Sequence, residues 1–330
     1  MKKVLLIIYL FSAVFSFSQP KVSEISSMPG AFSRMGFGAR GMGMGNALSS
    51  VTEGNLVSYY NPALSVFQQD NSFQTSYSFL SLDRSLNFLN FTRRFDFYSS
   101  KDSTKVPNGT AGVSVGIINS GVSNIDGRDN DGNKTGALTT SENQFFVGFA
   151  NKFSKKFALG IAVKVYYYKL YEQITSTGVG LDIGALYVLN KHWNISFMLA
   201  DLNSQYKWDT SPIYNEQGST STNKFPTLKK IGASYTNDEY GIIASAELES
   251  SNGGTNILRG GIEYNIFKDL YLRGGIDQVN LSNSDYPVNP SLGFTYFKSF
   301  DNIRVGVDYA FVVEPYSSQD RHIVGLNINF

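Results

Sequence analysis

Three segments of the chain carry an arginine followed four residues later by an acid: Arg259 and Glu263, Arg273 and Asp277, Arg304 and Asp308. Guanidinium and carboxylate groups at such spacing can neutralise one another or present charge to a ligand. The intervening residues choose between helix and strand. Leu258, Ile262 and Tyr264, then Leu272 and Ile276, then Ile303, Val305, Val307 and Tyr309 fall on the opposite parity, which is the period of a strand. Each arginine and its acid then share one face, about 13 Å apart along the strand. Glu247, Glu249, Asp182 and Lys164 fall on the same parity. Two readings stay open: a salt-bridge ladder that is purely structural, or the lining of a ligand or ion path. The charges are balanced in sign, whereas an ion-selective ring is dominated by one sign.

Other candidate chemistry is thin. Gly41-Met42-Gly43-Met44-Gly45 has the spacing of a dinucleotide loop, but no apolar strand precedes it and no crossover helix follows. Asp126-Gly127-Arg128-Asp129-Asn130-Asp131-Gly132-Asn133 offers oxygen atoms at calcium-loop spacing. It lacks the bidentate glutamate of an EF-hand, and such clusters are also ordinary turn chemistry. The two histidines, His192 and His322, have no motif-level serine or carboxylate partner, and there is no cysteine. Nucleophilic catalysis, transition-metal binding and disulfide chemistry are therefore not expected. The chain reads as a non-enzyme with no cofactor. A formal net charge of +1 argues against a nucleic-acid partner, which needs a basic face.

The elements that must hold these residues are strands. From Ser72–Leu82 to His322–Phe330 about fourteen segments alternate apolar and polar residues. Turns such as Phe153-Ser154-Lys155-Lys156 and Asn190-Lys191-His192 alternate with connections that include the long polar Ser120–Glu142 and Asp201–Thr227. Short turns at one end and long loops at the other are the asymmetry of outer-membrane barrels, with the short turns periplasmic. A soluble β-sandwich is the alternative. Lys2 and Lys3, the apolar run Val4–Phe15 and Ser16-Phe17-Ser18 read as a cleaved signal peptide. The apolar run is too short to span a bilayer, and no later stretch approaches the roughly 20 apolar residues of a membrane helix. The last strand ends on Phe330, like the terminal aromatic read by the outer-membrane insertion machinery. The expected organisation is signal peptide 1–18, N-terminal plug 19–70 and barrel 71–330, all-β, antiparallel and up-and-down, integral in the outer membrane with lipid as its first partner. On this parity Leu at Arg273 or Arg304 strands acids such as Asp277 or Asp308, whereas Arg at Ile276 or Val305 impairs insertion.

One stretch is unlike the rest. Gly36–Leu64 is rich in small residues and contains Gly38, Arg40, Gly43 and Gly45, then Asn61-Pro62-Ala63. The glycines permit close approach of backbone to other surfaces, and Asn61-Pro62-Ala63 reads as a stop after a brief helix. By strand parity the plug candidate lies at the periplasmic end. Met28, Met35, Met42 and Met44 add adaptable apolar contacts suited to a lumen or a hydrophobic ligand. The pattern Gly38-Ala39-Arg40, Gly43-Met44-Gly45, Asn61-Pro62-Ala63 behind a signal peptide resembles the N-terminal signature of the PorV/PorQ-like family, relatives of the FadL fatty-acid channel barrels. That resemblance implies an outer-membrane barrel with an N-terminal plug, serving type IX secretion by binding a translocon or exported proteins. The alternatives are a FadL-like channel with a hydrophobic small molecule in its lumen, and a structural outer-membrane protein. An apolar patch on the long loops would favour a protein partner.

Overall fold

The computed structural model describes residues 23–98 and 107–330. The expected signal peptide and its cleavage site lie outside them. Fourteen strands close into one antiparallel barrel. In chain order they are β1 Ser72–Phe79, β2 Arg84–Phe97, β3 Gly109–Arg128, β4 Lys134–Lys152, β5 Phe157–Tyr171, β6 Ile174–Val188 and β7 Trp193–Leu202. After a small hairpin of β8 Gln205–Asp209 and β9 Thr220–Lys224, the wall continues with β10 Leu228–Asn237, β11 Ile242–Ser251, β12 Asn256–Phe267 and β13 Leu270–Asn280. It ends with β14 Asn289–Phe300, β15 Ile303–Val312 and β16 Arg321–Asn329. Closure is the pairing of β1 with β16, in register from Ser72↔Asn329 to Phe79↔His322.

Alternation along each strand separates the two faces. Ile262, Ile276 and Val307 are about half exposed on the outside, while Glu263, Asp277 and Asp308 are buried inside. The outer surface is thus a continuous apolar band, and closing the sheet leaves no free edge.

Two expected loops are not loops of the kind the sequence suggested. Ser120–Glu142 is mostly strand: β3 and β4 pair as far as Arg128↔Lys134 around a short turn. Its polar residues alternate on a ribbon that rises beyond β2, so polarity there marks exposure on both faces rather than absence of pairing. Asp201–Thr227 is long, but it folds back into the barrel mouth. Tyr206 and Phe225 are buried there, with Tyr166, Tyr168 and Trp208 around them. Ile213 and Tyr214 are exposed at its tip.

The stretch 23–70 lies within the ring of strands. It also does not stay at the end where β1 begins. Ser23 Oγ donates to Gly253 O at 2.9 Å, in the turn between β11 and β12 at the opposite end. The segment therefore runs the depth of the lumen. Its short helix Gly38–Gly43 lies against β13 to β16, and its 3-10 helix Pro62–Phe67 against β2 to β6. Asn61-Pro62-Ala63 is the start of that helix and not a stop: Asn61 is extended, its side chain accepts from Ala63 N at 2.9 Å, and Pro62 occupies the first turn. Asparagine as N-cap followed by proline satisfies an otherwise free amide and presets the helical φ.

Candidate functional site

The candidate site is the interior, and it differs from side to side. Toward β2 to β6, Phe37 stacks on Phe88 and Tyr59 and meets Phe146 edge-on. Leu64, Ile118, Tyr166 and Leu186 complete a continuous apolar cluster with Phe225. Deep inside this half Lys164 Nζ lies 2.7 Å from Asp182 and 3.1 Å from Asp201.

Toward β10 to β16 the wall is charged. Arg259 reaches Asp277 at 2.7 Å, Glu249 at 3.0 Å and Glu247 at 3.3 Å, and Lys230 approaches Glu249 at 3.1 Å. Arg273 pairs with Glu263 and donates to Thr295, which together with Asn327 donates to Asp308. The partners are cross-strand neighbours, Glu263↔Arg273 and Glu247↔Arg259 in register. Two expected relations therefore change. The cation of Asp277 is Arg259 rather than Arg273, and Asp308 is held by neutral donors. Arg304 is a third to one side: it is about one-third exposed at the short-turn rim, pairs with Asp269 at 3.2 Å and covers the Phe297 ring. A four-residue repeat along one strand spans about 13 Å, too far for contact, while residues directly opposite on paired strands are close.

The N-terminal segment engages both halves. Arg40 holds Glu263 through two bonds, each 2.9 Å, and donates to Glu53 O. Asn46 donates to Asp277 at 2.6 Å. Gly45 has φ +59, and a Cβ there would lie 2.6 Å from Gly260 O. On the other side Asn61 donates to Ala185 O, and a Cβ on Gly184 would meet its Oδ1 at 2.0 Å. Gly38, Arg40, Gly43, Gly45, Asn61, Pro62 and Ala63 thus make the approaches between segment and wall. Their wall counterparts, Gly160, Gly184, Gly261 and Gly275, were missed in the sequence. Glycine on inward parity was the available signal.

The charged half is not filled. A cavity of about 420 Å³ at the loop end is bounded by Met35 and Met42 of the segment and by Arg259, Gln278, Glu314 and Arg321. A second, of about 160 Å³, lies toward the short turns among Arg40, Glu263, Arg273, Arg304 and Asp308. Arg40 to Asn46 lies between them. Burial pushes the Glu314 carboxyl above its ordinary value, with Arg321 opposing, and pulls the Arg34 guanidinium below its own.

No family model matches this sequence, and no curated protein matches it. Solved structures do. The toluene transporter TodX of Pseudomonas putida is similar over 89% of this chain and 96% of its own, at 15% identity and a TM-score of 0.57. The chain has the same closed-barrel fold. The toluene transporter TbuX of Ralstonia pickettii is similar over 89% and 98% of the two chains, at 13% identity and TM-score 0.57. A FadL homologue of Pseudomonas aeruginosa matches over 89% and 98%, at 11% and 0.52. All three share the barrel fold of this chain, and none of them points to type IX secretion.

The remaining sequence candidates lie apart from the lumen. Asp126 pairs with Arg128 and Lys134, and Asp129 accepts the amides of Asp131 and Asn133, so these carboxylates close their own turn. His192 lies in a turn beside Thr236 O, and His322 meets Tyr309 Oη at 2.7 Å on the outer face.

Proposed function

We propose that this protein is an integral outer-membrane channel for small hydrophobic molecules, with residues 23–70 acting as a plug. The observation that carries this reading is the pair of cavities on the charged side of the lumen, one lined by Met42 and the other by Arg40 of the same short turn. A molecule taken up from the loop end reaches the larger cavity and must pass this turn to reach the smaller one. The turn is held by polar contacts to Glu263 and Asp277 and by glycine-sized clearances, so a local shift of a few residues opens a route without breaking the wall. A ligand pocket of ~300–1,000 Å³ is the ordinary size for small molecules. The toluene transporters with the same fold support the substrate class. Association with type IX components, implied by the N-terminal resemblance, draws no support from the structural neighbours and is the weaker reading.

The test is uptake of toluene and larger hydrocarbons into proteoliposomes, together with planar-bilayer recording. Wild-type protein should admit the hydrocarbon faster than empty vesicles and conduct ions little. Deleting Ser33–Leu64 should yield a steadily conducting pore. Steady conductance by wild type, unchanged on deletion, would place the plug outside the route. Uptake equal to empty vesicles would defeat the channel reading, and co-purification of secretion components would then revive the other.

A further inference from the structure

Two of the short turns differ from the rest in charge. Phe153-Ser154-Lys155-Lys156, between β4 and β5, and Leu189-Asn190-Lys191-His192, between β6 and β7, carry lysines and no acid. Asp238-Glu239-Tyr240-Gly241, the next turn round the barrel, and Asp301-Asn302 carry acids and no lysine or arginine, and in Lys268-Asp269 the acid pairs with Arg304. The lysine turns are joined: Val188 N donates to Lys156 O at 2.7 Å, and Lys156 Nζ donates to Leu189 O at 3.4 Å. Each is also closed by its own side chain. Ser154 Oγ accepts the amides of Lys156 and Phe157, and Asn190 Oδ1 those of His192 and Trp193. Lys155, Lys156 and Lys191 are exposed, and none forms an ion pair among the described residues. Lys152, at the end of β4, instead turns to the lumen over the Phe67 ring at 4.7 Å.

The outer face above these turns is aromatic and apolar. Phe153, Tyr187 and Trp193 are exposed there, with Leu159, Ile195 and Phe197 beside them. Leu159 and Phe197 stand on either side of Ala185 in register, so the small side chain leaves a shallow depression between two large ones. Aromatic rings of a membrane protein lie at headgroup level, which puts the adjoining lysines at the level of the lipid phosphates. An ammonium is a point charge suited to phosphate, and its stem can lie along apolar surface while the head stays in water. The geometry points to a phospholipid site: this sector of the rim holds an anionic phospholipid of the leaflet at the short-turn end, periplasmic in barrels of this kind. Lys155, Lys156 and Lys191 read its phosphate, and an acyl chain lies over Ala185 between Leu159 and Phe197. A soluble polyanion would use the lysines but not the apolar depression above them. The site is independent of the channel reading, since the lumen takes no part in it.

Native mass spectrometry of the protein, delipidated in mild detergent and given equimolar dioleoyl phosphatidylglycerol and dioleoyl phosphatidylethanolamine, tests this. Wild type should retain the anionic lipid over the zwitterionic one by about tenfold. Lys155→Gln, Lys156→Gln and Lys191→Gln together should bring that ratio close to one with heat-modifiable migration unchanged, and Lys191→Gln alone should lower it by a smaller factor. Lys268→Gln with Lys298→Gln, on another side of the rim, should leave it as in wild type. Equal retention of the two lipids by wild type overturns the site, as does a preference that survives in the triple variant. An equal fall in the Lys268 and Lys298 variant would assign the preference to the charge of the whole rim and also overturns it. Displacement of the lipid by an equal concentration of glycerophosphoglycerol, which has the headgroup and no acyl chains, would make the ligand a soluble anion and defeat the phospholipid assignment. Because Lys191→Gln changes one exposed turn residue, a triple variant that fails to assemble does not remove the test.

Discussion

The two halves of the lumen solve the same problem by different chemistry. Between β2 and β6 the N-terminal segment is held by shape: Phe37, Tyr59 and Leu64 interlock with Phe88, Ile118 and Phe146, and Pro62–Phe67 sits against wall glycines. Between β10 and β16 it is held by charge, through Arg40 to Glu263 and Asn46 to Asp277, with space left over. Apolar contact loses energy continuously as atoms separate, so the first half resists movement in every direction. Charged contacts in a partly solvated cavity can exchange one partner for another. The comparison teaches that the shape-based and the charge-based contacts of the N-terminal segment, the proposed plug, lie at opposite sides of one barrel.

The largest expected effect tests the charged half. Glu263→Leu removes the acid shared by Arg40 and Arg273 and leaves two buried cations, a change that costs about 3–5 kcal/mol where a buried pair loses one partner. The expected outcome is a lower unfolding temperature by heat-modifiable migration, together with frequent openings in planar bilayers. Adding Arg40→Met and Arg273→Met should restore much of the stability, since apolar replacement of the whole group leaves no stranded charge. Stability that falls further in the triple variant would contradict the pairing described.

Phe37→Ala tests the apolar half. With its ring buried among aromatic neighbours, the loss should be about 3 kcal/mol. Bilayer recordings should show fewer openings than Glu263→Leu at matched destabilisation. Equal opening rates would erase the functional distinction between the two halves.

A smaller effect sharpens the same contrast. Ser58 Oγ is buried in the apolar half with no hydrogen-bond partner among the described residues. Ser58→Ala should be neutral or stabilise by up to about 1 kcal/mol, since it removes an unsatisfied hydroxyl. A clear loss of stability in thermal unfolding would reveal a partner for that hydroxyl. The smallest effect belongs to Arg304→Gln. This pair with Asp269 is solvent-accessible, and such pairs contribute about 0–1 kcal/mol. A drop larger than that would return Arg304 to the buried ladder.

Much of the wall was legible. Period-two alternation in segments such as Leu270–Gln278 marks a strand and its two faces without any tertiary information, because side chains of a strand point alternately to opposite sides. The same rule put Arg259, Glu263, Arg273, Asp277 and Asp308 on one face. It could not say which arginine meets which acid. That depends on register between strands, and β13 carries a bulge at Asp277 and Gln278 that shifts the pairing with β12. The Ser120–Glu142 reading failed because composition reports exposure, and a ribbon standing clear of its neighbours is polar on both faces.

By itself, then, the sequence determined the local periods: an alternating wall of fourteen strands, a glycine-rich segment unlike them, and charges confined to one parity. Those follow from covalent geometry and from the cost of leaving a charge against an apolar surroundings. Only the tertiary structure decided that Ser23 reaches the far end of the lumen, that Asn61 begins a helix, and that Arg40 meets Glu263. Each depends on atoms brought together from more than a hundred residues apart or on a cap that either neighbour could have claimed, and no local pattern encodes which of several compatible partners is nearest when the barrel closes.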